Sequence, residues 1–284
     1  MLNLDLTNLE KSDIKYKISK FPDGQQTIDL DIAFYNHISK IEDVKIKSRL
    51  NNFKDLEIIL CATQALRNIK VSNIFLYVPF IIGSRSDRKF QDGGINYLKQ
   101  VIAPIINSQN YNEVITFDPH SDVLEAVINN FEKVNNFQLV KHALTKIDNK
   151  NDAQNRVCFI SPDAGAYKKI FDVAKEFKVN NIITANKVRD LVTGKIIKTE
   201  IPDLNFDDDM QYVIIDDLCD GGRTFIELSK VIKEQNPNAK IYLIVSHGIF
   251  SAGLDVLKPH FEKIYTTDSY SVIEDEFVNQ FNLF

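Results

Sequence analysis

The chain has 284 residues, of which 44% are hydrophobic and 26% are charged, and its formal net charge is −5. This length suits two domains of ordinary size, and the acidic balance argues against a general nucleic-acid or anionic-membrane surface. Three widely spaced cysteines without a CxxC pair do not predict a disulfide framework or a structural zinc site. The sequence shows neither a secretory signal pattern nor an apolar stretch as long as a membrane span, so we expect a cytoplasmic protein.

Short apolar runs rich in β-branched residues alternate along the chain with segments of helical periodicity. Polar or turn residues bound each run, which is typical of buried parallel strands. The alternation predicts an α/β fold with a mostly parallel sheet and helices on both faces. The predicted strands are 74–81, 113–118, 156–163, 180–185, 211–217 and 240–247, and the predicted helices are 53–69, 95–107, 166–177 and 224–235.

This strand–helix pattern runs twice. The first set ends near residue 135 and the second begins near residue 155, with the polar segment 145–155 as a candidate linker. We therefore expect two similar α/β domains, residues 1–145 and 146–284. A second polar segment, 198–209, is expected to form an exposed loop.

Residues 214–225, IIDDLCDGGRTF, predict a strand that runs through a glycine turn into a helix. Successive backbone N–H groups in such a turn cradle a phosphate, and a helix N-terminus favours negative charge. Ligands of open α/β sheets bind at the carboxyl ends of strands. Asp216 and Asp217 would repel a phosphate, so we interpret them as acceptors of hydrogen bonds from sugar hydroxyls. Two adjacent aspartates at the end of a buried strand are costly without a ligand or partner.

A cationic cluster follows the predicted strand 74–81. It contains Arg85, Asp87, Arg88 and Lys89. Arginine presents a fork of donors that suits phosphate oxygens, so this cluster is a candidate triphosphate site. The alternative for the same residues is a solvated charged loop.

The glycine turn with its paired aspartates resembles the phosphoribosyl-diphosphate binding loop of the type I phosphoribosyltransferase fold. Six further segments resemble, in order, those of the ribose-phosphate diphosphokinase (phosphoribosyl-diphosphate synthetase) family. The resemblance runs from about residue 20 to residue 268. The six segments are KFPDGQ (20–25), SRSDRK (84–89), TFDPH (116–120), SPDAGAYKK (161–169), ANKVRD (185–190) and VSHGIFSAG (245–253).

The resemblance implies an ATP site to which two subunits contribute, and hence a homo-oligomer, either a dimer or a hexamer. The segment 20–25 would hold the adenine in a neighbouring subunit's site, and Gln25 stands where the family usually has glutamate. The residues implied to bind ATP are Phe21, Asp23, Gln25, Arg85, Asp87, Arg88, Lys89 and His120.

The resemblance also implies a metal site and a mobile catalytic loop. His120 and Asp163 match a pair that serves a Mg²⁺ ion bridging the phosphates of ATP. Lys187 and Arg189 match catalytic residues on a loop that closes over the site and stabilises the charge built up during transfer. Phosphoryl transfer depends mainly on positioning and charge neutralisation, which gives that role a physical basis. The helix-breaking interval 192–194 is consistent with such a loop.

The implied reaction is the Mg²⁺-dependent transfer of the diphosphoryl group of ATP to the anomeric 1-hydroxyl of ribose 5-phosphate. Its products are phosphoribosyl diphosphate and AMP, and no residue needs to form a covalent intermediate. The residues implied to bind the ribose phosphate are Asp216, Asp217, Asp220, Gly221, Gly222, Arg223 and Thr224.

Two positions of the turn depart from the family's usual D-T-(A/G)-G-T. Gly221 replaces a threonine, and Arg223 replaces a glycine. In one interpretation Arg223 points away or caps the turn, and the acceptor is ordinary ribose 5-phosphate. In the other, the pocket is wider and more cationic and admits a 5-substituted ribose phosphate such as ADP-ribose. The product would then be ADP-ribose 1-diphosphate, a compound of NAD-related metabolism. We place ribose 5-phosphate first.

Two other classes of protein stay open. A non-catalytic regulatory homologue would be expected to lose the loop cations or the metal residues, which this chain retains. A phosphoribosyltransferase that consumes the sugar diphosphate would not need the segments 84–89 and 118–120. Formation of AMP from ATP and a sugar phosphate separates a synthetase from both classes.

Overall fold

The structure is a computed structural model that describes residues 1–31, 42–148, 152–189, 196–202 and 209–284, with only the backbone described at 187–189 and 196–198. The chain divides into two compact units. The first comprises Met1–Asn135 with Leu283–Phe284, and the second comprises Asn136–Asn282. None of the described helices has the length and apolar character that crossing a membrane requires.

The first unit is built on a five-stranded parallel sheet. The unit as a whole contains seven strands in its described residues: β1 (Leu2–Asp5), β2 (Tyr16–Lys20), β3 (Gln26–Leu30), β4 (Asp43–Lys47), β5 (Asn73–Tyr77), β6 (Glu113–Phe117) and β7 (Phe131–Val134). The sheet order is β1-β4-β5-β6-β7, while β2 and β3 form a separate antiparallel hairpin. Its helices are α1 (Phe53–Asn68), a π-helical turn (Leu98–Ile102) that continues into α2 (Ala103–Asn107), and α3 (Val123–Val127).

The second unit is built on a six-stranded parallel sheet. Its helices are α4 (Phe137–Ile147), α5 (Ala153–Arg156), α6 (Tyr167–Phe177) and α7 (Arg223–Gln235). The unit as a whole contains eight strands in its described residues: β8 (Val157–Ser161), β9 (Asn181–Thr184), β10 (Asn186–Arg189), β11 (Ile196–Glu200), β12 (Gln211–Cys219), β13 (Lys240–Gly248), β14 (Lys263–Thr267) and β15 (Val278–Phe281). The sheet order is β15-β14-β13-β12-β8-β9, and β10 pairs with β11 in an antiparallel hairpin.

Local sequence explains the main elements. Helix α1 begins with a capping box, in which Asn52 Oδ1 accepts from the backbone N of Asp55 at 3.2 Å while Asp55 Oδ2 accepts from the backbone N of Asn52. Its apolar positions Leu56, Ile59 and Leu66 are buried against the sheet of the first unit. All five residues of β8 are buried, as the continuous apolar run predicts for a central parallel strand. The predicted α/β class with mostly parallel sheets is confirmed.

The second unit begins earlier in the chain than the predicted linker. Helix α4 packs against β13, β14 and α6, so residues from 136 onward belong to the second unit. The segment 145–155 contains the end of α4 and the beginning of α5. The division into functional halves at 145/146 stays a prediction. Residues 203–208, within the predicted loop 198–209, lie outside the described residues.

Candidate active site

Polar residues follow three neighbouring strands of the second unit at one edge of its sheet. Strand β12 pairs in parallel with both β8 and β13, so the carboxyl ends of the three strands are adjacent. Asp216 and Asp217 lie near the end of β12, and Asp163 lies two residues beyond the end of β8. The structure thus brings Asp163 close to the paired aspartates, which belong to a different sequence motif.

The paired aspartates of β12 are largely withdrawn from water. Asp217 is buried and Asp216 is partly exposed. Asp216 Oδ1 accepts a 2.9 Å hydrogen bond from the backbone N of Asp217. Burial raises the pKa of Asp216 well above its ordinary value, and the negative charges of Asp217 and Asp163 raise that pKa further. Such carboxylates are stabilised by a cation or by hydroxyl donors of a ligand.

The turn after β8 fixes the carboxylate of Asp163. Its Oδ1 accepts hydrogen bonds from the backbone N of Gly165 at 3.0 Å and of Ala166 at 3.1 Å. Ser161 Oγ donates to the backbone O of Asp163 at 2.7 Å. The side chain is therefore held at the start of α6, close enough to Asp216 for its charge to raise the pKa of Asp216.

The turn between β12 and α7 strongly favours glycine at position 222. Gly222 is buried with φ of +78°, a left-handed conformation that L side chains rarely adopt. A Cβ atom there would lie 2.7 Å from Leu257 Cδ2. The carbonyl of Gly222 accepts from the backbone N of Phe225 and of Ile226, both at 3.0 Å, and these are the first hydrogen bonds of α7. A tight turn into a helix N-terminus is a suitable binding site for a phosphate.

The two unusual positions of the turn differ in their surroundings: a Cβ would fit at 221, and the side chain at 223 is exposed. A Cβ on Gly221 would meet Ser251 Oγ at 3.8 Å and Ala252 Cβ at 4.0 Å, which are ordinary contacts. Arg223 is the first residue of α7 and is exposed. Within the described parts of the chain its guanidinium forms no ion pair. The turn therefore combines room at Gly221 with a positive charge at Arg223, while Thr224 is partly buried.

The basic segment of the first unit follows β5, next to the segment that follows β6. Ser121 Oγ donates to Asp87 Oδ2 at 2.6 Å, and Asn96 Nδ2 donates to the backbone O of Asp87 at 2.5 Å. The side chain of Asp87 is 12% exposed, whereas that of Arg88 is 77% exposed. Arg85 is also exposed. The aspartate thus anchors the loop while the arginines are exposed, and the binding of a triphosphate here stays a prediction.

The segment after β6 contains a strained residue and the predicted metal ligand. Asp118 is buried with φ of +44°, and its backbone N donates to Val134 O at 2.7 Å. His120 is exposed and belongs to the first unit, whereas Asp163 belongs to the second. Among the residues that the structure describes, no three His, Cys, Asp or Glu side chains form a metal-binding cluster.

The predicted adenine-binding residues lie at the tip of the β2–β3 hairpin. Phe21, Asp23 and Gln25 are all exposed. The backbone N of Phe21 donates to Gln25 O at 2.8 Å, and Gly24, with φ of +100°, allows the chain to reverse. The hairpin is attached to α1 by Gln26, whose Nε2 donates to Glu57 Oε2 at 3.0 Å. The three side chains are therefore presented together to solvent.

The predicted catalytic cations cannot be assigned contacts. Lys187 and Arg189 lie on β10, but their side chains fall outside the described part of the chain. The predicted loop interval 192–194 lies outside the described residues as well. The roles of Lys187 and Arg189 stay predictions.

Two serines contact the predicted site residues and were not singled out from the sequence. Ser121 binds Asp87, as described, and Ser251 Oγ donates to Asp220 Oδ1 at 2.5 Å. Both serines lie at or beside segments that carry the family resemblance. Their side-chain partners lie more than 30 positions away along the chain, so no local pattern could have identified the contacts.

Comparisons with known proteins agree with this architecture. The ribose-phosphate pyrophosphokinase of Haemophilus ducreyi is 22% identical over 219 residues, 76% of this chain and 67% of that protein. The enzyme of the same name from a Marinomonas species is 24% identical over 237 residues, 82% of this chain and 71% of that protein. The crystal structure of phosphoribosylpyrophosphate synthetase from Mycobacterium smegmatis has the same fold, with a TM-score of 0.77 at 14% identity over 97% of this chain and 88% of that one.

A model of the phosphoribosyl transferase domain matches residues 129–283, more than half of the chain. The matched region includes the paired aspartates of β12, the turn that leads into α7 and the segment that carries Ser251. As its motifs predicted, this chain belongs to the phosphoribosyl transferase domain family.

Proposed function

We propose that the protein is a Mg²⁺-dependent diphosphotransferase that converts ATP and ribose 5-phosphate into phosphoribosyl diphosphate and AMP. The observation that carries the proposal is the carboxyl edge of the second unit's sheet. There the crowded carboxylates of Asp216 and Asp217 adjoin a turn in which Gly222 has a left-handed φ of +78°. The names of the similar curated proteins, both ribose-phosphate pyrophosphokinases, support the same reaction.

Different parts of this edge suit different parts of the acceptor. Asp216 and Asp217 accept hydrogen bonds from the sugar hydroxyls, which offsets the cost of withdrawing two carboxylates from water. The 5-phosphate lies in the turn 220–224, where the backbone N–H groups, the α7 N-terminus and the Arg223 guanidinium favour negative charge. The acidic and cationic groups therefore bind separate ends of one ligand.

The residues present also fit a divalent cation. Mg²⁺ prefers oxygen ligands, retains several waters, and is usually held by one or two carboxylates together with substrate phosphates. Asp163, a fixed carboxylate near Asp216, would hold the ion. The family resemblance implies that His120 would also serve it, directly or through water. When bound, the ion supplies neutralisation of the charge on the transferring phosphates.

The cations of the chain suit the donor half of the reaction. Arg85 and Arg88 are exposed beside the anchored Asp87 and bind the triphosphate of ATP. The sugar's 1-hydroxyl oxygen bonds to the β-phosphorus, the bond from that phosphorus to the bridging α,β-oxygen breaks, and AMP leaves. Lys187 and Arg189 offset the charge that accumulates during this step.

The exposed hairpin tip supports assembly into a homo-oligomer. Phe21 is 51% exposed and stands with Asp23 and Gln25 at the end of β2 and β3. An aromatic ring in this position suits stacking on the adenine of a neighbouring subunit's ATP. We therefore propose a homo-oligomer, in which each ATP site takes residues from two subunits.

The test is a direct assay of products. Purified protein with ATP, Mg²⁺ and ribose 5-phosphate is expected to release AMP and phosphoribosyl diphosphate, which phosphorus NMR distinguishes from ADP and sugar bisphosphates. Asp217→Asn serves as the control, and we expect it to lose most of the activity. If no ribose phosphate tested leads to AMP release, the proposal is wrong. The protein would then be a regulatory homologue or a transferase that consumes the sugar diphosphate.

A second acceptor is favoured by the same two positions of the turn. Gly221 has no side chain where the family has threonine, and Arg223 is exposed without an ion pair in the described parts of the chain. In ADP-ribose the 5-phosphate carries an AMP group, and its second phosphate would lie near such an arginine. This alternative gives ADP-ribose 1-diphosphate. It fails if AMP forms with ribose 5-phosphate but not with ADP-ribose. If Arg223→Gly leaves acceptor preference unchanged, Arg223 does not determine specificity.

A further inference from the structure

We propose that Ser251 is a positioning residue of the acceptor site, because its hydroxyl holds the carboxylate of Asp220 away from the phosphate-binding turn. The proposal rests on the proposed function of the turn 220–224. Ser251 lies in the loop after β13, 31 residues beyond Asp220. It does not itself face the reacting atoms but acts through Asp220.

Two hydrogen bonds join the two residues. Ser251 Oγ donates to Asp220 Oδ1 at 2.5 Å, a length typical of a strong bond from a hydroxyl to a carboxylate. The backbone N of Ser251 donates to the backbone O of Asp220 at 3.2 Å. Main chain and side chain of Asp220 are therefore both tied to the same residue.

The segment that carries Ser251 is itself fixed. The backbone N of Ile249 and of Phe250 both donate to Cys219 O, at 2.9 and 3.1 Å. Phe250 is buried and has φ of +49°, a left-handed conformation that persists in a bulky residue only where its surroundings determine it. The serine hydroxyl is thus presented to Asp220 from a rigid support.

Asp220 needs such a restraint because of its place in the sequence. An aspartate directly before a turn readily accepts hydrogen bonds from backbone N–H groups two or three residues further on. Here those groups belong to Gly222 and Arg223, which are the donors that the 5-phosphate needs. Ser251 occupies one oxygen of Asp220, and its hydroxyl stands 3.8 Å from where a Cβ of Gly221 would lie, on the open side of the turn. Without it, the carboxylate would compete with the phosphate and repel it.

The experiment compares Ser251→Ala, Ser251→Thr and a matched serine. Ser251→Ala is expected to raise the KM for ribose 5-phosphate about tenfold, equivalent to about 1.4 kcal/mol, with the KM for ATP and kcat little changed. Ser251→Thr keeps the hydroxyl at an exposed position and is expected to recover most of the affinity. The control is Ser229→Ala on α7, which removes a buried hydroxyl that donates to Ile226 O at 2.8 Å and pairs with His260 Nδ1 at 2.9 Å, without touching Asp220.

The outcomes separate this inference from the proposed reaction. An active wild-type enzyme in which Ser251→Ala leaves the KM for ribose 5-phosphate unchanged, or raises both KM values equally, overturns the role of Ser251 alone. If the wild type releases no AMP, the role of Ser251 is tested by measuring the affinity for ribose 5-phosphate by calorimetry. Weaker binding by Ser251→Ala than by Ser229→Ala supports the role, and equal binding, or no binding by the wild type, overturns it.

Discussion

Ser121 Oγ donates a 2.6 Å hydrogen bond to Asp87 Oδ2, and this bond joins the segments that follow the adjacent parallel strands β5 and β6. The basic loop that contains Arg88 is thereby held beside the Asp118–His120 segment. Because Asp87 is largely buried, its carboxylate depends on this donor rather than on water. The two motifs form one edge of the first unit's sheet.

We expect Ser121→Ala to weaken ATP binding. Loss of a hydrogen bond to a buried carboxylate frees the loop, so the KM for ATP should rise about three- to tenfold, in line with the usual contribution of a charged hydrogen bond. Steady-state kinetics with ATP and ribose 5-phosphate varied in turn measure the effect. Ser108→Ala is the control, since its exposed hydroxyl donates to Ile105 O, accepts from Gln109 Nε2 and does not contact Asp87. An equal change in both KM values would contradict the prediction.

The neighbouring glycines of the turn should respond differently to alanine. Gly222→Ala places a Cβ 2.7 Å from Leu257 Cδ2 in a left-handed backbone, so we expect a loss of about 1–3 kcal/mol in the free energy of unfolding and loss of acceptor binding. Gly221→Ala makes only ordinary contacts and should stay within about 0.5 kcal/mol of the wild type. Denaturant unfolding with and without ribose 5-phosphate measures both. Equal stability of the two variants would show that the turn tolerates a side chain at 222.

The sequence predicted the elements of the site better than the contacts within it. The apolar run before Asp216 and the glycines after it predicted β12, the turn and the start of α7, because each signal is local. Strand β4 and the β2–β3 hairpin were not predicted, because their short alternating patterns bury one face only against α1 or neighbouring strands. The bonds of Ser121 and Ser251 arise from tertiary packing, and local periodicity carries no information about them.

Asp216→Asn is expected to stabilise the ligand-free protein while weakening acceptor binding. Burial and neighbouring carboxylates raise the pKa of Asp216, so the folded protein holds this proton more tightly than the unfolded chain does. Stability is therefore lost as pH rises from the ordinary aspartate pKa of about 3.9 to the raised value. Asparagine removes that loss and still accepts from the backbone N of Asp217. We expect about 1 kcal/mol of added stability at neutral pH.

Thermal unfolding across a pH series tests this prediction. The difference between Asp216→Asn and the wild type should grow as pH rises above about 4. Asp172→Asn, at an exposed position on α6, is the control and should follow the wild type. If the variant is less stable than the wild type at neutral pH without ligand, the fold stabilises Asp216 as a carboxylate, and the predicted rise of its pKa is wrong.

Replacing two adjacent threonines of β14 by valine, which has nearly the same shape, should change the free energy of unfolding in opposite directions. Thr267 Oγ1 donates to Ser246 O at 2.6 Å and accepts from the backbone N of Ser269 at 3.2 Å. Thr266 Oγ1 is fully buried and makes no hydrogen bond within the described parts of the chain. A buried hydroxyl without a partner costs free energy, whereas a paired one leaves its partners unsatisfied when it is removed.

Thr267→Val is therefore expected to lower the free energy of unfolding by about 1–3 kcal/mol, and Thr266→Val to leave it unchanged or raise it by up to about 1 kcal/mol. Each variant serves as the control for the other, because both lie in the same strand at the same depth. Denaturant titration gives both values. A large destabilisation by Thr266→Val would mean that its hydroxyl binds a buried water beside Gly248, where a Cβ would stand 3.0 Å from Thr266 Oγ1. In that case the hydroxyl of Thr266 is satisfied by that water, and its removal would leave the water without one of its partners.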